Sequence, residues 1–229
     1  RDAVESGSGG ADCGTQWNAV ETFYRKQTWR TAKGNLMTEK EKMLAGQLYN
    51  PGDKELSEMR LKARKLARRY NSTDEDHIEE LQTILNELVP NRGKDTFFQA
   101  PVHFDYGCFT TFGEGSGTNF NFVALDCCLI TVGNHVFFGP NCTLAAPMHP
   151  LCPQERNRYL EYAKPIVIGN DCWIASNVTV CGGVTIGDGC VIGAGSVVTR
   201  DIPPHSLAAG NPCRVIRQIT DEDLMGIEK

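Results

Sequence analysis

Ile168-Gly169, Ile174-Ala175, Val180-Cys181, Ile186-Gly187, Ile192-Gly193 and Val198-Thr199 stand at strict six-residue intervals. An earlier run, Val132-Gly133, Phe138-Gly139 and Leu144-Ala145, keeps the same step. Neither the 3.6-residue period of a helix nor the two-residue alternation of a strand produces a strict six. A solenoid in which each hexad makes one short strand and one turn does produce it. The fold class expected is therefore mainly β, a parallel β-helix of hexapeptide repeats over residues 96–205. The aliphatic residue points inward, and the small residue after it turns the corner where a larger side chain would clash. Three hexads, 18 residues, complete one triangular coil. The fifth position of each hexad also faces inward and must be small; those positions are Cys142, Cys172, Val178, Val184, Cys190 and Ser196.

That pattern bears on the cysteines. The 229 residues hold ten of them, with no C-x-x-C spacing, which disfavours zinc ribbons and thioredoxin-like redox pairs. A chain of this length needs no disulfide framework. Most of these thiols read as small packing groups in a narrow interior, and the protein as reduced and cytoplasmic. Cys172 and Cys190 stack on neighbouring coils, close enough that a disulfide is geometrically conceivable. Lys and Arg number 23 against 28 Asp and Glu, a formal charge of −5, which argues against nucleic acid or an anionic membrane as the main partner. No apolar run is long enough to span a bilayer.

Outside the repeat the chain changes character. Residues 1–36, with Ser6-Gly7-Ser8-Gly9-Gly10, read as a leader or an artificially appended segment ahead of Met37. The alternative is a genuine extension whose Trp17, Phe23, Tyr24 and Trp29 dock on the body. Residues 37–95 form a helical N-terminal domain. Leu56, Met59, Ala63, Leu66 and Tyr70 make one apolar stripe and Ile78, Leu81, Leu85 and Leu88 a second. Asn71-Ser72-Thr73 is the expected N-cap of the second helix, and Pro90 ends it. The basic run of the first helix reads as a solvated face offset by Asp74, Glu75, Asp76, Glu79 and Glu80. Residues 206–229 form a C-terminal tail.

Between Leu144 and Ile168 the hexads are interrupted by a polar, proline-rich insertion, Ala145 to Val167. A long loop leaving a rigid coil is a place to look for function, and this one carries His149 at its base. A neutral imidazole can take the proton of a hydroxyl nucleophile as it attacks a thioester. His77, His103, His135 and His205 carry no such context.

The repeat and its flanks resemble the left-handed β-helix acyltransferases, specifically the maltose/galactoside O-acetyltransferase family. The residues that carry the resemblance are Asn119-Phe120-Asn121-Phe122, Met148-His149-Pro150, Lys164 to Gly169, Trp173-Ile174, Gly193 to Thr199, Asp201 to Pro204 and Ala209 to Ile216. Ala45-Gly46-Gln47-Leu48-Tyr49 and the helical pair also look like that family's opening domain. The resemblance implies a left-handed coil, a homotrimer with active sites between subunits, acetyl-CoA as co-substrate, no metal, and a small sugar as acceptor. It implies His149 as general base in a direct transfer, with a backbone N–H of the Trp173-to-Ser176 turn at the oxyanion. Asn119 matches an acceptor-binding asparagine. Cys127 stands where the galactoside branch has an acid; Asp126 beside it either substitutes for that acid or orients His149. Asp53 resembles an acceptor-side aspartate of the maltose branch, with helix capping an equal explanation, and Glu161 and Tyr159 are further acceptor candidates. Ser176, Ala194, Thr199, Arg200, Arg214 and Arg217 fall on cofactor positions, where guanidinium groups suit CoA phosphates. Three other readings remain: an N- or O-acyltransferase of an amino sugar or hydroxylated antibiotic, a non-catalytic β-helix subunit, and a zinc carbonic anhydrase on the same coil. The last lacks the required pair of closely spaced histidines.

Overall fold

A computed structural model describes residues 36–226; almost all of the expected leader, with its four aromatics, lies outside them. Three parallel sheets wrap into a triangular coil. The first face stacks Asn91–Arg92, Thr110–Phe112, Ile130–Val132, Ile166–Ile168 and Thr185–Ile186. The second stacks Phe97–Phe98, Gly117–Thr118, Phe137–Phe138, Trp173–Ile174, Val191–Ile192 and Ser206–Ala209, and Arg214–Gln218 adds antiparallel at its end. The third stacks Val102–Phe104, Phe122–Leu125, Thr143–Ala145, Thr179–Cys181 and Val197–Val198. The parallel strands of the coil therefore extend from Asn91 to Ala209, beyond 96–205 at both ends. Asn91–Arg92 carries no aliphatic hexad residue, so the first coil leaves no period in the sequence.

Each expected inward hexad position is buried, including Cys142, Cys172, Cys190 and Ser196. No disulfide joins the nine cysteines among the described residues. Burial pushes the Cys142 thiol up. The sulfur of Cys190, and then burial, push up that of Cys172.

The eighteen-residue coil holds only in the upper part. Ile174 and Ile192 stack eighteen apart, whereas Phe98, Thr118 and Phe138 stack twenty apart. The two extra residues enter at one edge, between the third face and the first. There, eight positions separate Phe104 from Phe112 and Ala124 from Val132, in place of six. The wider coils enclose larger side chains: Phe98 meets Phe112 at 4.9 Å between ring centroids and Phe122 meets Phe138 at 5.2 Å. Ile, Val, Leu and Cys fill the narrower coils above. Gly113 shows why the corner after an inward residue must be small, because a Cβ there would lie 2.4 Å from the backbone of Gly133 on the next coil.

The helices α1 (Glu39–Leu44), α2 (Lys54–Ser72) and α3 (Ile78–Leu88) belong to the same compact unit as the coil. Leu56, Ala63, Ala67 and Tyr70 bury one face of α2, and Ile84, Leu85 and Leu88 one face of α3. The expected cap at residues 71–73 is corrected. Asn71 and Ser72 finish α2, Thr73 caps its C-terminus, and α3 starts after His77 without a side-chain cap. Those polar groups have stronger uses: Thr73 Oγ1 donates to the Arg69 carbonyl at 2.8 Å. Arg69 pairs with Glu80 at 2.6 Å, while Arg64 pairs with Asp105 at 3.2 Å.

Asn71 stands in for a missing strand. Its Nδ2 donates to the Val102 carbonyl at 2.9 Å and its Oδ1 accepts from the Val102 N–H at 2.8 Å, closing the open end of the third face. Asn71→Ala is expected to cost about 2 kcal/mol, two hydrogen bonds at about 1 kcal/mol each, read as a lowered thermal midpoint at fixed protein concentration.

Candidate active site

The edge that takes the two extra residues is also the edge that takes the insertion. After Ala145 the chain leaves the coil, and Pro147–Met148 pairs antiparallel with Tyr162–Ala163 before the first face resumes at Ile166. A short helix, Pro153–Arg156, forms the tip, and Arg156 braces it by donating to the Leu151 carbonyl at 3.0 Å. Three successive departures from the hexad thus stack on one edge. They carry Asp105, Asp126, Cys127, His149 and Glu161.

His149 sits at the mouth of a cleft of ≈ 270 Å³ lined by Pro51, Arg156, Asn157, Tyr159 and Glu161. Its Nδ1 lies 3.4 Å from the Leu160 carbonyl. A carbonyl only accepts, so this contact assigns the proton to Nδ1 and leaves the Nε2 lone pair for substrate. Nε2 is 3.9 Å from Glu161 Oε1. Glu161 Oε2 accepts from the Tyr49 hydroxyl at 2.7 Å. Behind Tyr49 lies Cys127, whose Sγ is 3.5 Å from Asp105 Oδ2. Burial first, and then the Asp105 charge, push the Cys127 thiol well above its ordinary value, against the lowering effect of its contact with Tyr49.

Two acceptor expectations change. Asp126 is fully buried: Oδ1 accepts from the Tyr106 N–H at 2.8 Å, and Oδ2 from the Phe109 N–H at 3.3 Å and the Thr110 hydroxyl at 3.1 Å. It neither opens to the cleft nor bonds His149; it holds the widened turn at residues 105–110. Cys127, 4 % exposed, is one layer behind the cleft wall, screened from it by Tyr49 and Glu161. Asp53 is the N-cap of α2, accepting from Glu55 and Leu56 N–H groups, so the capping explanation holds. The preceding Pro51 is what reaches the cleft.

The remaining candidates lie on a different edge. Asn119, Ala175-Ser176 and Gly193-Ala194 follow the registered inward residues Thr118, Ile174 and Ile192, so they stack where the second face meets the third. Arg214 joins them through its pairing with Ala209. Asn121, Asn141 and Asn177 turn this corner with positive φ, and their side chains bond one another up the edge. Thr199 and Arg200 instead follow Val198 onto the His149 edge. Six residues of third-face strand separate Asn119 from Leu125, roughly 20 Å at strand rise. Within one subunit Asn119 and His149 therefore do not meet. Arg217 is engaged by Asp223 through two contacts, at 2.6 and 2.8 Å, which hold that carboxyl at about 2. Of the three arginines expected at phosphates, it alone already has a carboxylate partner in its fork.

The sequence reading gave neither Tyr49 nor Arg60 a role in the site. Arg60 donates to the Tyr106 hydroxyl at 2.6 Å and also bonds the Pro51 carbonyl, which fixes the segment that walls the cleft. Helical spacing marked neither residue.

Residues 42–93 match the maltose acetyltransferase hexapeptide capping motif, and residues 165–200 match the bacterial transferase hexapeptide model of six repeats. A galactoside O-acetyltransferase of Escherichia coli (strain K12) is 40% identical over 183 residues, 80% of this chain and 90% of that one. A solved maltose O-acetyltransferase from Clostridium difficile 630 superposes with a TM-score of 0.80 at 43% identity, covering 82% of this chain and 100% of that one. A galactoside acetyltransferase solved in complex with coenzyme A gives a TM-score of 0.79 at 40% identity, covering 82% and 94%. The helical cap, the interrupted hexads and the closing strands are thus shared over nearly the whole described chain, and the protein belongs to the maltose/galactoside O-acetyltransferase family of left-handed β-helix, hexapeptide-repeat acyltransferases.

Proposed function

We propose that the protein transfers acetyl from acetyl-CoA to a hydroxyl of a small sugar, directly and with His149 as general base. The observation that carries this is the orientation of His149: Nδ1 is held against the Leu160 carbonyl, and Nε2 faces a cleft that holds a carboxylate. Nε2 takes the acceptor proton as the hydroxyl oxygen attacks the thioester carbon, and the imidazolium then protonates the departing thiolate. A backbone N–H of the Trp173-to-Ser176 turn stabilises the oxyanion. Relatives that are an O-acetyltransferase of galactosides and one of maltose support the acceptor class, and a neighbour complexed with coenzyme A supports the donor.

The working unit is a homotrimer. The site is split between two edges of one coil, and it closes where the His149 edge of one subunit meets the Asn119 edge of the next. An outward column on the second face, Phe97, Phe137 and Trp173, each about half exposed, supports burial against another copy. Among the described residues no helix is long and apolar enough to cross a membrane. The nine free thiols of those residues support a reducing, cytoplasmic setting.

The direct test is CoA thiol release against a panel of sugars, amino sugars and amino acids. Turnover on a sugar hydroxyl is expected; no turnover on any hydroxyl, with no CoA binding by calorimetry, would overturn the reading. Arg200→Ala and Arg214→Ala are each expected to raise KM for acetyl-CoA about tenfold, one charge-assisted hydrogen bond, with the sugar KM unchanged. Arg217→Ala is expected to change it far less.

A further inference from the structure

Glu161 is tied at three points to Tyr49, which lies 112 residues earlier in the chain. The Tyr49 N–H donates to the Glu161 carbonyl at 2.9 Å, the Glu161 N–H donates to the Tyr49 carbonyl at 3.1 Å, and the tyrosine hydroxyl holds Oε2 at 2.7 Å. Tyr49 is 1 % exposed and backed by Cys127, so its ring has no room to swing. Two consequences follow for the carboxylate. One oxygen is occupied from inside, and the other, Oε1, is presented at the cleft 3.9 Å from Nε2 of His149.

With Nδ1 carrying the proton, Nε2 and Oε1 are both acceptors, and 3.9 Å is too long for a hydrogen bond between them. Each needs a donor from a bound molecule. A lone alcohol has one proton and can satisfy one of them. Two hydroxyls on nearby carbons of a sugar can satisfy both, each at ordinary O–H length.

We propose that the cleft reads a diol. The nucleophilic hydroxyl donates to His149 Nε2, while a second hydroxyl, on the next carbon or the one beyond, donates to Glu161 Oε1. Tyr49 is the positioning residue that keeps Oε1 in place. The proposal rests on the acetyl-transfer reading of the same site and adds its substrate requirement. In the reaction the nucleophile's proton passes to Nε2, its oxygen bonds the acetyl carbon, and the carbon–sulfur bond breaks with its electron pair on sulfur. The proton then leaves Nε2 for that thiolate. Glu161 takes no part in the proton transfer and stays bound to the spectator hydroxyl. An acceptor without that second hydroxyl leaves a desolvated carboxylate oxygen with no donor, which is the source of selectivity.

The test measures CoA thiol release by the wild type, Glu161→Leu and Tyr49→Phe on the best sugar of the panel and on each of its mono-deoxy analogues. For the wild type, one analogue that keeps the nucleophile is expected to lose at least tenfold in kcat/KM. In Glu161→Leu the parent sugar should fall to the level of that analogue, so that the penalty shrinks to within about twofold, with KM for acetyl-CoA unchanged. Tyr49→Phe keeps the ring and its packing, and is expected to reduce the penalty partway. A Glu161→Leu protein with an intact thermal transition and an undiminished penalty would overturn the proposal and leave acetyl transfer standing. So would a wild type that turns over every mono-deoxy analogue alike. If Glu161→Leu does not fold, Tyr49→Phe decides, and an unchanged penalty there overturns the proposal. A wild type inactive on every sugar would remove the acetyl-transfer reading with it.

Discussion

His149→Ala is expected to lower kcat by ~10²- to 10⁴-fold, the usual contribution of a positioned general base. The side chain is about half exposed at the mouth of the cleft, and among the described residues its one hydrogen bond is the 3.4 Å contact to the Leu160 carbonyl. Removing it opens no cavity in the coil, so the thermal midpoint should move by no more than a degree or two. The cofactor candidates Thr199 and Arg200 sit on coils above, and the Kd for CoA measured by calorimetry should stay within about twofold. Activity retained within a few-fold of wild type would remove His149 from the chemistry. His149→Asn, which keeps a donor toward Leu160 but supplies no basic nitrogen, should be as inactive as the alanine variant.

Asp126→Ala is expected to destabilise the fold by about 4 kcal/mol while leaving the acceptor KM unchanged in whatever protein remains folded. Two backbone N–H groups and one hydroxyl converge on this carboxyl at 2.8 to 3.3 Å, and truncation orphans all three in a buried turn. Each orphan costs about 1–3 kcal/mol, partly recovered where water or rotation finds a substitute. Burial raises the carboxyl's pKa above the ordinary carboxylate value, against the lowering effect of its hydrogen bonds. The neutral form is then favoured more in the fold than in the unfolded chain. The wild type's stability advantage over Asp126→Ala should therefore be fullest below the unfolded carboxylate pKa and decline as pH rises through the folded one. Chemical denaturation at several pH values measures both. An acceptor KM that rises with no loss of stability would restore Asp126 to the binding site.

The repeat was legible because every inward position obeys one short rule. Ile168 to Val198 show the six-residue step without a gap, and their burial follows from it. The lower coils were harder to read. Their two extra residues put Phe112 eight positions after Phe104, which breaks the period in sequence while preserving the stack in space. The start of α3 was not legible at residues 71–73 because α2 continues through Ser72, and where a helix stops is set by what it packs on, not by the polar residues at its end. Only the packing of α2 on the coil decided that Asn71 should bond Val102.

The site divides along the same line. His149 could be picked out because it stands in an insertion that interrupts a rigid repeat. Asp126 was a candidate for the acceptor or for orienting His149, since nothing in a linear pattern separates a carboxyl that faces a cleft from one that faces a turn. Tyr49 was legible only as part of an opening segment, with nothing to connect it to the site. Its partner Glu161 lies 112 residues away, and the pair exists because an antiparallel bridge joins the N-terminal segment to the inserted hairpin.

By itself the sequence determined the coil, the small residues at its corners and the place where it is interrupted. These are local properties, repeated each hexad, and steric exclusion at a narrow corner leaves little choice in them. The tertiary structure alone decided that three departures from the hexad stack on one edge and that the cofactor and acceptor candidates split between two edges. It also decided that a buried tyrosine holds one oxygen of Glu161 and leaves the other to the cleft. Those outcomes depend on how many residues each coil spends before it closes, a sum over distant segments that no single stretch of chain encodes.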